Sequence, residues 1–276
     1  GRNRFCMFDI EHDQRLRSHQ ETLSRIEQAL HDEEFRLHYQ PKVDLRKGRV
    51  VGAEALIRWQ HPERGLLSPA EFLLPLGEHQ LLVEIGDWAI RTALQQLETW
   101  RAKGIHLPVS VNVAGRHLLH DGFTTRLAAH LAAHPDVPPS DLELEILETA
   151  ALEDIAHVSR IIGECRKLGV ELALDDFGTG YSSLLYLKRL SAKTLKIDQS
   201  FVRDMLDTSE GIDALRGIMG LANAFKRKVV AEGLEFVEQG IVLLRLGCDV
   251  VQGYAIARPM PAAEIPGWIA AYRPDP

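Results

Sequence analysis

The sequence predicts an α/β protein, an irregular (β/α)8 TIM-type barrel with an antiparallel first strand. From residue 35 onwards, short apolar segments alternate with amphipathic helical stretches, which is typical of a largely parallel sheet with helices outside it. Eight strands within about 240 residues favour a closed barrel over an open sheet. The predicted strands are residues 35–40, 50–58, 108–113, 142–147, 171–175, 194–198, 228–232 and 249–253.

The first two strands are joined by the short segment DLRKG, residues 44–48. This connection is far too short for a helical crossover, so the first pair of strands should be antiparallel. The helical patterns that lie between the other strands are residues 84–103, 117–134, 154–168, 211–226 and 237–246. Four histidines lie on or near the second of these helices and are expected to face solvent: His117, His120, His130 and His134.

The charged segment 11–31 also predicts a helix, because Leu16, Leu23, Ile26 and Leu30 fall on one stripe at helical spacing. One interpretation is a linker helix packed on the main domain. The other is a signalling helix that carries input from an upstream domain. We assign residues 10–31 to this linker helix and residues 32–276 to the main domain.

Composition excludes several classes of function. The formal net charge of −7 argues against binding to polymeric nucleic acid and against contact of this fragment with an anionic membrane. The three cysteines, Cys6, Cys165 and Cys248, lie far apart in no metal-binding spacing, which favours a reducing cytoplasm. No apolar run approaches the roughly 20 residues needed to span a bilayer. The chain starts without methionine, so we expect it to be a fragment of a longer protein.

Each predicted strand offers one polar side chain near its end. Singly, such residues are more often solvated strand ends or helix caps. As a set they indicate a site, because barrel enzymes build their chemistry from several strand ends at the C-terminal mouth. Asp176, which follows Asp175, is expected to belong to the loop and to turn back over the mouth. The eight strand residues are Gln40, Glu54, Asn112, Glu145, Asp175, Lys196, Glu232 and Gln252.

The charges of this set predict a metal site. Five acids against the single charge of Lys196 leave four negative charges, which two divalent cations would neutralise. Carboxylate and amide oxygens select Mg²⁺ or Mn²⁺, and the lack of histidine or cysteine in the set disfavours zinc. Two such ions would share a bridging carboxylate and activate a water molecule. Asp175, with Asp176 beside it, is well placed to be that bridge.

Glu54-Ala55-Leu56 lies within an ordered series of motifs that extends over residues 32 to about 272. On these motifs the chain resembles the EAL domain family of cyclic di-GMP phosphodiesterases, of which Glu54-Ala55-Leu56 is the signature. The resemblance implies an irregular barrel that hydrolyses cyclic di-GMP to linear pGpG and so lowers a second messenger in bacterial signalling. We expect a cytoplasmic location, either free or tethered to the inner membrane through upstream domains. The other matching segments are YQPKVDL, GAEALIRWQHPERGLLSPAEFL, SVNVAGRHL, LELEILE, LALDDFGTGYSSL, LKIDQSFV, VVAEGLE and VQGYAIARPMP.

The resemblance also implies roles for individual residues. The implied ligands of one metal ion are Glu54, Asn112, Glu145 and Asp175, and those of the second are Asp175, Asp176 and Glu232. The implied catalytic residues are Glu54, Asp175, Lys196, Glu232 and Gln252. The implied substrate-binding residues are Gln40, Leu56, Arg58, Asn112, Asp198 and Glu235. Glu148 matches the glutamate that anchors the loop 176–184, which in the family couples the metal site to a dimer interface, so a homodimer is expected.

Two features qualify the resemblance. Residues 1–9, GRNRFCMFD, look like the last strand of a GGDEF domain, which predicts an upstream GGDEF or sensor domain; the alternative is a disordered leader. Leu147 stands in the segment Glu145-Ile146-Leu147-Glu148 where the family has threonine, and the sequence offers no physical reason for it. The rival functions are a catalytically weak cyclic di-GMP receptor and another metal-dependent barrel enzyme.

Overall fold

The structure, a computed structural model, describes residues 10–180, 184–206 and 209–273. The predicted GGDEF remnant, residues 1–9, lies outside the described residues, as do positions 181–183 of the loop assigned to Glu148. Among the described residues, no helix combines the length and the apolar character that a membrane span requires.

The strands and helices follow the predicted alternation. The strands are β1 Phe35–Asp44, β2 Arg49–His61, β3 Gly65–Leu67, β4 Val109–Asn112, β5 Leu142–Leu147, β6 Glu171–Phe177, β7 Thr194–Ile197, β8 Lys228–Ala231, β9 Val250–Val251 and β10 Met260–Pro261. The helices are α1 Ile10–His31, α2 Pro69–Phe72, α3 Leu81–Ala102, α4 Gly115–Leu118, α5 Phe123–Ala133, α6 Glu148–Glu153, α7 Ile155–Lys167, α8 Leu184–Arg189, α9 Gln199–Asp204, α10 Ser209–Ala224, α11 Val237–Leu246 and α12 Ile265–Ala271.

Eight strands close into a barrel, which confirms the predicted fold. From β2 the strands β4, β5, β6, β7, β8 and β9 follow in parallel. β1 pairs with both β9 and β2 and closes the ring, and it runs antiparallel to β9, as the short first connection predicted. β3 and β10 are short additions on β2 and β1 that were not predicted.

The contacts divide the chain into two compact units. The smaller unit consists of the residues up to Arg36 together with Ile57–Leu82. The other, called the barrel unit below, consists of Leu37–Leu56 and Val83–Pro276.

A buried aromatic cluster forms the core of the smaller unit. The rings of Phe35, Trp59 and Phe72 lie 5.3 to 5.8 Å apart. The indole N–H of Trp59 donates to Glu34 at 2.8 Å. Arg25 of α1 donates to both oxygens of that carboxylate, at 2.6 and 2.9 Å. Helix α1 is therefore linked to this cluster by an ion pair.

The barrel strands separate apolar from polar residues by their two-residue period. Leu144 and Ile146 of β5, and Leu172 and Leu174 of β6, are completely buried. The acid between the first pair, Glu145, is also buried, and its carboxylate is bonded to lysines from β1 and β7. Because those strands lie elsewhere around the ring, the face of β5 that carries Glu145 points into the barrel.

Two expectations about the helices were wrong. The predicted helix 117–134 is divided into α4 and α5, because Gly122 between them has a left-handed φ of +80°. His117 does not face solvent: it is fully buried, and its Nε2 lies 2.9 Å from Asp87 Oδ1.

The close contact between α3 and His117 leads to a stability prediction. A Cβ on Gly86 would lie 2.1 Å from His117 Nδ1, so Gly86→Ala should destabilise the protein by about 1–3 kcal/mol through overpacking. Gly163→Ala is the matched control, since that helical glycine has open space around it and alanine should stabilise its helix by up to about 1 kcal/mol. Thermal unfolding of both variants tests this, and a Gly86→Ala protein as stable as the wild type would contradict it.

Candidate metal centre

Lys196 lies at the centre of the predicted ring. This β7 side chain is fully buried, and its Nζ lies 2.6 Å from carboxylate oxygens of both Glu145 and Glu232. Asp175 is 3.0 Å and Glu54 3.4 Å from the same nitrogen. Acids from β2, β5, β6 and the residue after β8 thus converge at the C-terminal mouth of the barrel.

The carboxylates form two groups that could each hold a metal ion. Glu54, Glu145 and Asp175 form the first, and Asp175, Asp176 and Glu232 form the second. Within each group the potential ligand atoms lie within 4.8 Å of one another. Because Asp175 belongs to both groups, the arrangement matches a pair of cation sites with one shared carboxylate.

Asp176 contributes to the site through a backbone conformation that the sequence did not predict. It stays within β6 instead of belonging to the loop, and its φ is +53°. The register of β6 against β7 shifts between Leu174 and Phe177. In a regular strand, neighbouring side chains point to opposite faces; the left-handed residue and the irregularity let adjacent acids serve one site.

Amide side chains hold Glu54 in place. Asn112 Nδ2 donates to Glu54 Oε1 at 2.6 Å, and Gln252 Nε2 donates to Glu54 Oε2 at 2.7 Å. Gln252 Nε2 also donates to Gln40 Oε1 at 2.9 Å. Among the described residues, Gln252 Oε1 is buried without a hydrogen-bond partner. Carboxylates together with a buried free amide oxygen fit a hydrated Mg²⁺ or Mn²⁺ ion, whose water molecules donate hydrogen bonds.

The pKa values reflect an excess of buried negative charge. Burial raises the pKa of Glu232 to about 8, although Lys196 opposes the shift. Burial and the neighbouring Asp175 raise the pKa of Asp176 to about 6. Burial and Glu145 raise the pKa of Glu54. A divalent cation would favour the ionised form of each of these groups.

Lys42 was not among the predicted site residues. It is buried on β1, and its Nζ lies 2.7 Å from Glu145 Oε1. Burial tends to raise the pKa of Glu145, but Lys196 and Lys42 bring it below its usual range. Five carboxylates against two lysines leave three negative charges, not four. The spacing of Gln40 and Lys42, two apart on one strand, was the signal that could have revealed it.

The other predicted site residues occupy different positions. Gln40, Leu56 and Glu235 line a cavity of about 260 Å³ together with acids of the site. Asp198 caps α9 by accepting from the backbone N–H of Ser200. Arg58 belongs to the smaller unit, where it donates to the carbonyl of Ile57 at 2.8 Å, and its role stays a prediction.

Glu148 contacts the segment that follows β6. The side chain is completely buried, and its Oε2 accepts from the backbone N–H groups of Gly178 at 2.9 Å and Gly180 at 3.4 Å. Gly178 has a φ of +103°, which favours glycine, and a Cβ there would meet Phe201 at 2.8 Å. The neighbouring Leu147 is 44% exposed. The position of Glu148 fits the predicted anchor, whereas nothing in the structure explains leucine at position 147.

Comparison with known proteins identifies relatives of the chain. It is 39% identical over 267 residues to the bifunctional diguanylate cyclase/cyclic di-GMP phosphodiesterase MucR of Pseudomonas aeruginosa, a match that covers 96% of this chain and 39% of MucR. It is 36% identical over 272 residues to the cyclic di-GMP phosphodiesterase PdeR of Escherichia coli, covering 99% of this chain and 41% of PdeR. The chain therefore spans less than half the length of these curated relatives.

A solved structure and a family model agree with these matches. The c-di-GMP complex of the PaMucR phosphodiesterase superposes with a TM-score of 0.84 at 39% identity, covering 89% of this chain and 99% of that chain. The model of the EAL domain matches residues 23–259. The family model matches most of the chain, and the barrel and the acids at its mouth agree with that match. The chain therefore belongs to the EAL domain family.

Proposed function

We propose that the chain is a metal-dependent phosphodiesterase that hydrolyses one ester bond of cyclic di-GMP and releases linear pGpG. The observation that carries the proposal is the pair of carboxylate groups that share Asp175 beside Lys196. A protein that only binds a dianionic nucleotide has no use for five acids at the binding site, because unneutralised acids repel the phosphates. The names of the relatives support the same substrate.

Two ions, Mg²⁺ or Mn²⁺, are proposed for each site. The first would be held by Glu54, Asn112, Glu145 and Asp175, and the second by Asp175, Asp176 and Glu232. When bound, such ions lower the pKa of a water molecule and offset negative charge on the reacting phosphate. With two ions, the three uncompensated negative charges become one positive charge, which suits a dianionic substrate.

The residues of the chain have complementary tasks in this proposal. Asn112 and Gln252 hydrogen-bond to opposite oxygens of Glu54 and orient it. The free Oε1 of Gln252 is available to accept a hydrogen bond from a water molecule and so to orient it. Lys196 contributes positive charge next to the phosphate, where charge stabilises the transition state most. Gln40, Leu56 and Glu235 line the adjoining cavity and are proposed to contact the nucleotide; Asp198 is proposed as a further substrate contact.

The setting of the domain is also a proposal. The bifunctional name of MucR supports an upstream GGDEF domain in the full-length protein, and a cytoplasmic location agrees with a nucleotide second messenger as substrate. Glu148 is proposed to anchor the loop 176–184 and to couple the metal centre to a homodimer interface. Light scattering after gel filtration, with and without cyclic di-GMP, would measure the oligomeric state.

The proposed reaction has a direct test. Purified protein is incubated with cyclic di-GMP and Mg²⁺ or Mn²⁺, and the products are separated by chromatography. We expect pGpG in the presence of either metal and intact substrate when EDTA is added. Intact cyclic di-GMP under all conditions, together with measurable binding, would overturn the proposal and favour the receptor.

A further inference from the structure

A second polar layer lies inside the barrel, two residues along the strands from the acids of the metal centre. Lys42 Nζ donates to Ser110 Oγ at 2.6 Å, and Thr194 Oγ1 donates to Glu143 at 2.8 Å. Ser110 and Glu143 precede Asn112 and Glu145 by two positions, so they share their interior face. Burying such a polar layer costs free energy unless its groups are hydrogen-bonded. These hydrogen bonds therefore indicate that the layer supports another part of the barrel interior.

Lys42 links this second layer to the metal centre. The side chain of Glu145 is fully buried, and its two oxygens are bonded to different lysines: Oε1 to Lys42 at 2.7 Å and Oε2 to Lys196 at 2.6 Å. Lys196 is shared among four carboxylates. Lys42, by contrast, is bonded to Glu145 and Ser110, with Glu143 only at 3.9 Å.

We propose that Lys42 is a positioning residue that holds Glu145 Oε1 from the second polar layer, so that only Oε2 is presented to a metal ion. The inference rests on the proposed function, since it assumes that Glu145 is a ligand. Lys196 can release Oε2 because it has other carboxylate partners, whereas Lys42 keeps its hold on Oε1. Without Lys42, Glu145 would lose one of its two charged partners and could rotate in the interior. Partners that orient a ligand in this way typically contribute about 10–100-fold to metal affinity or activity.

The test compares Mn²⁺ binding to the wild-type chain and to Lys42→Met, measured by calorimetry without substrate. We expect the dissociation constant of one of the two sites to rise about 10–100-fold. The KM for cyclic di-GMP at saturating Mn²⁺ should stay unchanged, because Lys42 lies in the second polar layer and does not line the cavity proposed for the nucleotide. Ser110→Ala leaves the contact between Lys42 and Glu145 in place, so its Mn²⁺ affinity should stay within a few-fold of the wild type.

Further variants separate positioning from general stability. Lys42→Arg should recover much of the Mn²⁺ affinity, because a cavity of about 740 Å³ on the other side of Lys42 gives room for the larger group. Lys193→Met removes an exposed lysine that pairs with Glu171 and lines the same cavity, and it should bind Mn²⁺ as the wild type does. If Lys42→Met does not fold, Lys42→Gln, which keeps a neutral donor, takes its place. The Mn²⁺ dissociation constant of one site should then also rise at least about 10-fold.

The possible results are distinguishable. A wild-type chain that binds two Mn²⁺ ions, with equal affinity in Lys42→Met or Lys42→Gln, would overturn this inference alone. A wild-type chain that binds no Mn²⁺ would overturn the proposed function and the inference with it. A lower Mn²⁺ affinity at one site in Lys42→Met, with the affinity largely recovered in Lys42→Arg, would support the positioning role of Lys42.

Discussion

Replacement of Asp175 by asparagine should lower the rate of cyclic di-GMP hydrolysis by about three orders of magnitude, equivalent to about 4 kcal/mol in the barrier. Asp175 is the one carboxylate that both candidate ligand groups contain. Asparagine keeps the size of the side chain but removes the charge and one oxygen acceptor, so both cation sites would be weakened at once. The measurement is kcat at saturating Mn²⁺, with pGpG quantified by chromatography.

Asp249→Asn is the matched control for this loss. Asp249 lines the cavity at the opposite end of the barrel interior and pairs with Arg46 at 2.9 Å, away from the acids of the metal centre. Replacing Asp249 by asparagine should leave kcat within about twofold of the wild-type value, because a partly exposed ion pair contributes little to stability. If Asp175→Asn retained near-normal hydrolysis, the assignment of the shared ligand would be wrong.

Replacement of Lys196 by methionine should make folding depend on a divalent cation. Four carboxylates lie within 3.4 Å of Lys196 Nζ, and removing one partner of a buried ion pair typically costs about 3–5 kcal/mol. Part of the cost is avoided when a carboxylate takes up a proton, so we expect the free energy of unfolding without metal to fall by about 3 kcal/mol. Mn²⁺ should restore stability, because it binds the folded state alone.

Thermal unfolding in EDTA and in Mn²⁺ measures this effect. Lys228→Met, at an exposed lysine at the start of β8, is the control and should unfold like the wild type under both conditions. Equal stabilisation of wild type and Lys196→Met by Mn²⁺ would contradict the view that the lysine and the cations neutralise the same acids.

Much of the fold could be predicted because barrel strands and helices carry strong, regular patterns. In β5 and β6 apolar residues recur at every second position, which is a strand period, and the segment 44–48 was too short for anything but an antiparallel first pair. The convergence of Glu54, Glu145 and Lys196 followed from the rule that strand ends meet at one mouth. The helices α6, α8 and α9 were not predicted, because six residues span less than two turns and give no clear period.

The rest of the site depends on contacts that sequence spacing does not specify. Asp176 serves the same site as Asp175 only because its φ is positive at an irregularity in β6, and no local residue pattern predicted that. Lys42 received no role from the sequence, because only the closed barrel brings it to Glu145, 103 positions away. His117 read as a solvated helix residue, although Gly86 leaves room for it in the interior.

The acids around Lys196 are proposed to hold two divalent cations. Crystals grown with Mn²⁺ and measured for anomalous scattering would test this proposal most directly. We expect two peaks about 3.5–4 Å apart, with Asp175 between them, Glu54 and Glu145 at the first and Asp176 and Glu232 at the second. A map without a peak at this mouth, with all four carboxylates still on Lys196, would contradict it.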